Sequence, residues 1–238
     1  MIPEQFLRSQ MLLGEEALHT LSKSHVAVFG LGGVGSWCAE ALARSGVGTL
    51  TLIDHDEIGL TNLNRQLMAL HSTLGRPKAQ VMSKRVLDIN PRCQAQAMVS
   101  RYTPESREDY FAVPYDYIVD AIDIVSCKLD LIETALSRKV PIISALGTGN
   151  KLDPSLFRVA NLAKTEGCAL ARIIRKELKS RGIVHHKVVF SPELPQQSSA
   201  STELPPPGRR SVPASLPWVP PVAGFLLAGE VVKDLISR

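Results

Sequence analysis

Aromatic residues, paired cysteines and long apolar runs are all scarce in this chain, and each shortage removes a class of function. Phe, Trp and Tyr together make up 5% of the residues. That is too few for a reader of single-stranded nucleic acid that stacks successive bases on exposed rings. Of the four cysteines, Cys38, Cys93, Cys127 and Cys168, no two stand at CxxC spacing. The spacing argues against a zinc held by four thiolates and no zinc is expected, while scattered single thiols fit a reducing compartment. The longest C-terminal apolar run, Val222 to Ala228, falls far short of the ~20 residues that span a bilayer. Glu4 stands where a secretory signal would place its apolar core. The expectation is a soluble cytoplasmic protein with no membrane partner. A net charge of +4 permits an acidic or RNA partner without requiring one.

What is present is an ordinary globular composition, 45% hydrophobic and 21% charged over 238 residues. A chain of this length buries roughly 70% of its unfolded surface without metal or disulfide. Residues 4–23 read as an amphipathic helix around a break at Gly14. His25 to Phe29 is a buried strand that runs into Gly30-Leu-Gly-Gly-Val-Gly35, then a helix over 36–45, then a second strand, Thr49 to Ile53, ending at Asp54. Continuous apolar strands joined by helices indicate parallel βαβ units. The alternation continues with helices over 78–90 and 127–138 and strands over 94–100, 117–122 and 140–145. Shorter strands are expected at 157–161 and 187–190, a basic helix over 170–181 closed by Gly182, and an apolar helix over 222–236. The fold class is α/β, a Rossmann-like, mostly parallel sheet flanked by helices with a smaller C-terminal β/loop region. Residues 192–221 hold nine prolines and the patch Ser198-Ser-Ala-Ser-Thr202. They are expected to form a loop crossing the surface.

Gly30, Gly32 and Gly35 make a dinucleotide-type fingerprint in its proper strand–helix context. The first permits the turn, the second lets backbone amides approach phosphate, and the third packs helix on strand. Asp54 lies 22 residues after Gly32, where a carboxylate accepts from ribose hydroxyls. Thr61-Asn-Leu-Asn-Arg-Gln66 and Arg76-Pro-Lys78 follow. Arg65 and Lys78 can neutralise a departing diphosphate, the first by a forked contact and the second as a point charge; each taken alone reads more readily as a solvated surface cation. Beyond the strand at 117–119 stands Asp120-Ala-Ile-Asp123. Asp123 is placed to hold Mg²⁺ through a hard oxygen, and Asp120, nearer the strand body, reads as structural. Between Lys164 and Lys187 there are seven basic residues and two acids.

With these motifs in this order the sequence resembles the ubiquitin-activating-enzyme-like (ThiF-type) superfamily, which includes the adenylating enzymes of thiamine and molybdopterin synthesis. The resemblance spans 1–238 as one ThiF-type adenylating domain, with a nucleotide-binding half over 23–150 and a substrate- and RNA-facing half over 151–238. It implies that Gly30, Gly32, Gly33, Gly35, Asp54, Asp56, Asn62, Asn64, Arg65, Gln66, Lys78 and Asp123 line the site of ATP and its magnesium. Arg8 matches an arginine that such homodimers lend to the partner's site. Two departures narrow the match: the zinc-ligating CxxC pairs of sulfur-carrier activators are missing, and no cysteine follows Cys168. What remains resembles the branch of tRNA-modifying dehydratases that cyclise threonylcarbamoyladenosine. The residues carrying that likeness are Asp54-x-Asp56, the basic helix from Leu170 to Gly182, Val188 to Glu193, and Pro217 to Gly224. Where the branch has an Asp-Pro pair before the basic helix, this chain has Gly167-Cys168.

The implied chemistry is attack of a carboxylate on ATP, giving an acyl-adenylate, and ring closure that expels AMP without a protein thiol. The implied partner is tRNA carrying threonylcarbamoyladenosine, met by Arg172, Arg175, Lys176 and Lys179 and by Arg209 and Arg210 in the proline-rich loop. A solvated helix face explains the first four equally well. There is room for a sulfur-relay protein as a further partner. His185 and His186 read as structural. Three other functions fit the same motifs: adenylation of a sulfur carrier's C-terminal glycine, a nicotinamide oxidoreductase, and a silent nucleotide-binding scaffold.

Overall fold

The computed structural model describes residues 2–199 and 212–237. Seven strands form one sheet: β1 His25–Phe29, β2 Thr49–Ile53, β3 Gln94–Met98, β4 Tyr117–Asp120, β5 Ile142–Ala145, β6 Arg158–Asn161 and β7 Lys187–Phe190. Their spatial order is β3-β2-β1-β4-β5-β7-β6. All neighbours are parallel except β6 against β7. The C-terminal β region is thus continuous with the main sheet, because β7 pairs along the apolar edge of β5.

Eight α-helices accompany the strands among the described residues: α1 Leu7–Leu13, α2 Glu15–Lys23, α3 Gly35–Arg44, α4 Lys78–Ile89, α5 Arg107–Tyr110, α6 Val125–Ser137, α7 Ala169–Ser180 and α8 Val219–Ile236. The central strands read as unbroken apolar runs because helices cover both faces. Val26 and Val28 of β1 pack with Leu42, Met82, Val86, Leu227 and Val231 from α3, α4 and α8. Ala27 and Phe29, pointing the other way, pack with Leu131, Ile132 and Ile174 from α6 and α7.

The expected break at Gly14, which has φ +87°, separates α1 from α2, and a short 3-10 turn over Glu4–Phe6 precedes α1. Two other features differ from expectation. The proline-rich loop ends earlier than 221, since Pro220 and Pro221 occupy the first turn of α8. Proline is tolerated there because the first-turn N–H groups have no intrahelical acceptor. The one-turn helix α5 was not expected, being too short to show a period. Arg209 and Arg210 lie outside the described residues.

Candidate active site

The chain winds from β1 outward to β3, then returns to β4 on the other side of β1. This reversal is the switch point at which open α/β sheets bind ligands, beyond the carboxyl ends of their strands. A cavity of about 570 Å³ opens there.

The glycine turn forms its floor. The Gly30 amide donates to the Ile53 carbonyl at 2.8 Å, and Gly30 has φ +88°. A Cβ on Gly30 would lie 2.7 Å from the Ala121 carbonyl oxygen, and one on Gly35 would lie 1.8 Å from the Gly30 carbonyl oxygen. A Cβ on Gly32 would meet nothing within 4 Å. Two of the three glycines therefore serve packing, and Gly32 leaves its backbone open to a ligand at the start of α3, where amides and helix dipole favour anionic oxygen. Gly33 also lines the cavity, whereas Gly35 packs behind it.

Asp54 is buried at the end of β2. One carboxylate oxygen accepts from the Leu31 amide at 2.7 Å and the other from the Asp56 amide at 2.8 Å. It ties the glycine turn to the loop after β2 while lining the cavity with acceptor capacity left over. Asn62 Oδ1 accepts from the Gly59 amide, and the Arg65 carbonyl accepts from the Trp37 indole of α3. Ser36 Oγ accepts from the Leu67 amide. The first turn of α3 thereby holds the 61–67 loop, bringing Asn62, Arg65 and Gln66 to the wall. Asn64 is not among the wall residues. Its amide donates to the Ser215 carbonyl, and its Oδ1 accepts from the Arg65 guanidinium, so it orients Arg65 from behind.

Lys78 opens α4 and is buried, with Nζ 2.8 Å from Asp56 Oδ2. The alternative of a solvated surface cation does not describe Lys78, which is drawn in by Asp56 and lines the cavity. Burial pushes the Asp56 carboxyl up, but the hydrogen bond and charge of Lys78 outweigh this and hold it below the usual carboxylate range. Beside them, Arg101 hydrogen-bonds His55, whose Nε2 is 3.1 Å from Asp56. Asp54, His55 and Asp56 offer ligand atoms within 4.8 Å of one another.

Asp120 and Asp123 have opposite surroundings. Asp120 is buried, accepting from Lys128 Nζ at 2.6 Å, Ser144 Oγ at 2.6 Å and the Ile122 amide at 3.0 Å. The last bond turns the chain out of β4, and Asp123 emerges exposed on the cavity wall. His186 is buried with Nε2 2.8 Å from Ser144 Oγ; burial, then the nearby Lys128 charge, lowers its pKa to about 3. The structural reading of His186 fits this position.

The far wall follows β5 and includes Gly147, Thr148, Asn150, Lys151 and Cys168. Sequence reasoning passed over the first four and Arg101, and noted Cys168 only as a departure before the basic helix. Their placement after a strand's carboxyl end was the available signal for the first four. Cys168 occupies the cap position of α7, its Sγ accepting from the Ala171 amide at 3.5 Å, and so takes the role an Asp would fill. Gly167 adopts φ +67° where a Cβ would lie 2.0 Å from the Pro192 carbonyl oxygen.

On α7, Arg172, Lys176 and Lys179 are exposed beside a groove of about 380 Å³. Arg175 lines this groove but differs from them: its guanidinium donates to the Thr165 carbonyl and hydroxyl, bracing the turn before the helix. Arg8 is exposed on α1 and lies outside the cavity wall. No helix among the described residues is long and apolar enough to cross a membrane.

A doubly wound α/β sheet, an open glycine turn at a helix start, and cations and carboxylates converging at the switch point define a nucleotide-binding α/β protein with a phosphate-receptive cavity. The ThiF family model matches residues 6–238, and the chain belongs to that family. It is 42% identical to the tRNA threonylcarbamoyladenosine dehydratase of Bacillus subtilis, over 98% of this chain and 95% of that one. It superposes on the crystal structure of the E. coli tRNA N6-threonylcarbamoyladenosine dehydratase in complex with ATP with a TM-score of 0.88. The identity there is 36%, covering 98% of this chain and 94% of that one. To the E. coli sulfur carrier protein ThiS adenylyltransferase it is 36% identical over 60% of this chain and 59% of that one.

Proposed function

We propose that the chain catalyses ATP-dependent dehydration of threonylcarbamoyladenosine in tRNA, closing its threonyl arm into a ring through an acyl-adenylate. The observation that carries this reading is likeness to a dehydratase along nearly both whole chains, in a protein whose polar and charged motif residues Asp54, Asp56, Asn62, Arg65, Lys78 and Asp123 face one cavity. ATP is a substrate. A threonyl carboxylate oxygen attacks its α-phosphorus, and the bond to the bridging oxygen breaks, releasing pyrophosphate. A nitrogen or oxygen of the same arm then attacks the activated carbonyl, and AMP leaves. Being intramolecular, the second step has a high effective concentration and needs no thiol. A sulfur-relay protein is not required by it.

Arg65 and Lys78 stabilise charge on the departing diphosphate, Gly32 and Gly33 offer amides, and Asp54 accepts from ribose. Asp123 is an exposed hard-oxygen donor on the wall and suits Mg²⁺, which would neutralise phosphate charge when bound. The exposed cations of α7 would contact the tRNA backbone, giving salt-dependent affinity. A tRNA substrate puts the reaction in the cytoplasm. In a homodimer, Arg8 of one subunit would complete the partner's site. Supporting this, α1 leaves Met11 and Leu12 nearly fully exposed on the same short helix as Arg8. Arg8→Ala mixed with Asp123→Ala protein should recover activity if sites are shared, and an Arg8→Ala protein of normal activity alone would refute it.

The first test is AMP release from ATP and Mg²⁺ with tRNA bearing the modified nucleoside, compared with unmodified tRNA. Release only with the former, together with a nucleoside lighter by one water, supports the dehydratase. No turnover on either RNA transfers the ATP site to adenylation of a sulfur carrier's C-terminal glycine.

A further inference from the structure

The cavity has two charged ends. Toward β1 and β2 stand Arg65 and Lys78, with Asp56 as the ion partner of Lys78. Beyond β5, on the far wall, stands Lys151. Its side chain is buried at 4% exposure, and its Nζ donates to two backbone carbonyls, those of Ser191 and Glu193. An ammonium carries three donors, so two carbonyls leave one to spare. No carboxylate is among its hydrogen-bond partners in the described residues. Two acids lie close by, and both are engaged elsewhere: Asp153 accepts on Oδ1 from the Ser155 amide and hydroxyl at 2.8 and 2.6 Å, and Glu193 turns its two carboxylate oxygens to the Leu152 and Asp153 amides at 2.9 and 3.1 Å. Burial pulls the Lys151 pKa down, with Cys168 and Glu193 partly offsetting it. A buried cation whose hydrogen bonds go only to carbonyl dipoles is poised to gain from an anionic ligand.

Nothing in the nucleotide-binding motifs calls for this charge, because the phosphates are already served from the opposite end. We infer that Lys151 receives the threonyl carboxylate of the substrate, holding one oxygen by a charge-assisted hydrogen bond so that the other is presented for adenylation. This rests on the dehydratase reading and deepens it. Lys151 becomes the residue that distinguishes a modified adenosine with a free carboxylate from one without. The rigid setting suits the task. Asn150, at φ +56°, accepts on its Oδ1 from the Ala214 amide and donates its own amide to the Ala214 carbonyl, fixing the backbone just before Lys151.

The test compares equilibrium binding of two tRNAs in the presence of a non-hydrolysable ATP analogue: one with the threonylcarbamoyl carboxylate free, the other with it converted to a methyl ester. Charge-assisted hydrogen bonds in a dry site predict roughly a tenfold or greater preference of the wild type for the free acid. Lys151→Gln keeps an amide donor for the two carbonyls but loses the charge. It should bind both tRNAs alike while its KM for ATP is unchanged, and Lys151→Arg should retain the preference. A merely structural lysine would weaken both tRNAs equally and leave their ratio intact. If the wild type turns over modified tRNA but Lys151→Gln keeps the full preference for the free acid, the assignment is overturned alone. If the wild type binds ATP but neither turns over nor prefers modified tRNA, the dehydratase reading falls and takes this assignment with it.

Discussion

Replacing Lys128 by methionine isolates the contact on which the switch point rests. Lys128 and Asp120 are both fully buried, 2.6 Å apart, and Lys128 also donates to the Ala145 carbonyl at 3.0 Å. The ammonium thus joins the last residue of β4 to the last residue of β5, from which both walls of the cavity depart. Methionine fills the space but leaves the Asp120 carboxylate with one hydroxyl and one amide as donors. Removing one member of a buried pair costs about 3–5 kcal/mol, mostly the desolvation of the charge left behind. For a chain of this size each kcal/mol shifts Tm by about 2–4 °C, so a fall of roughly 6–20 °C is expected. Thermal and urea unfolding of the wild type, Lys128→Met, Asp120→Asn and the double variant provide the measurement. Asparagine retains an acceptor for the Ile122 amide without the charge, so the double variant should recover much of the loss. A Lys128→Met protein within about 1 kcal/mol of the wild type would refute the reasoning. So would strictly additive single changes, which would leave no coupling to assign to the pair.

Other expectations follow from the same geometry. Gly35→Ala forces its Cβ against the Gly30 carbonyl oxygen and should lower both Tm and ATP affinity. Gly32→Ala meets no protein atom within 4 Å and should lower ATP affinity, read by calorimetry, without moving Tm. Lys78→Met should depress AMP release by about 100-fold or more, the scale seen when one preorganised charge-stabilising group is removed; a loss under threefold would put the diphosphate elsewhere. His186, with a folded pKa of about 3 against an ordinary 6.5, is neutral in the folded state while the unfolded chain protonates it. Its contribution to stability is therefore complete above pH 6.5 and is lost as pH falls toward 3, at about 1.4 kcal/mol per unit. His186→Gln should flatten that slope in denaturant titrations between pH 6 and 4.

How far the sequence could be read depends on how local each feature's cause is. The glycine turn, β1, α3 and Asp54 were legible because their chemistry lies within one βαβ unit, where a Cβ clash enforces Gly30 and Gly35 and an open backbone marks Gly32. Lys78 was legible as a site residue but not as a buried one, since its burial follows from pairing with Asp56, 22 residues earlier. Arg175 and Asn64 were grouped with their neighbours by charge and motif, yet each turns to a backbone partner that only the fold supplies. Lys128, Ser144 and His186 were invisible as a unit, because β5 and β7 must pair before they meet. Lys151 was hidden in the same way: its carbonyl partners come from the segment after β7.

The contrast between Asp120 and Asp123 shows how the sheet turns one short motif into two functions. Asp120 pairs in register with Phe29 of β1 and Ser144 of β5, so its side chain is sealed within the sheet's end and must be neutralised by Lys128. Three residues on, after the turn capped by the Asp120 carboxylate itself, Asp123 stands exposed to the cavity. A hydrophobic pair in place of Asp120 and Lys128 could hold the two strands at least as well. It could not make the Ile122 turn or grip the Ala145 carbonyl, and so could not fix where Asp123 and the wall after β5 emerge. The buried charge therefore acts on function through placement, and its loss should change the alignment of substrates even where the fold survives.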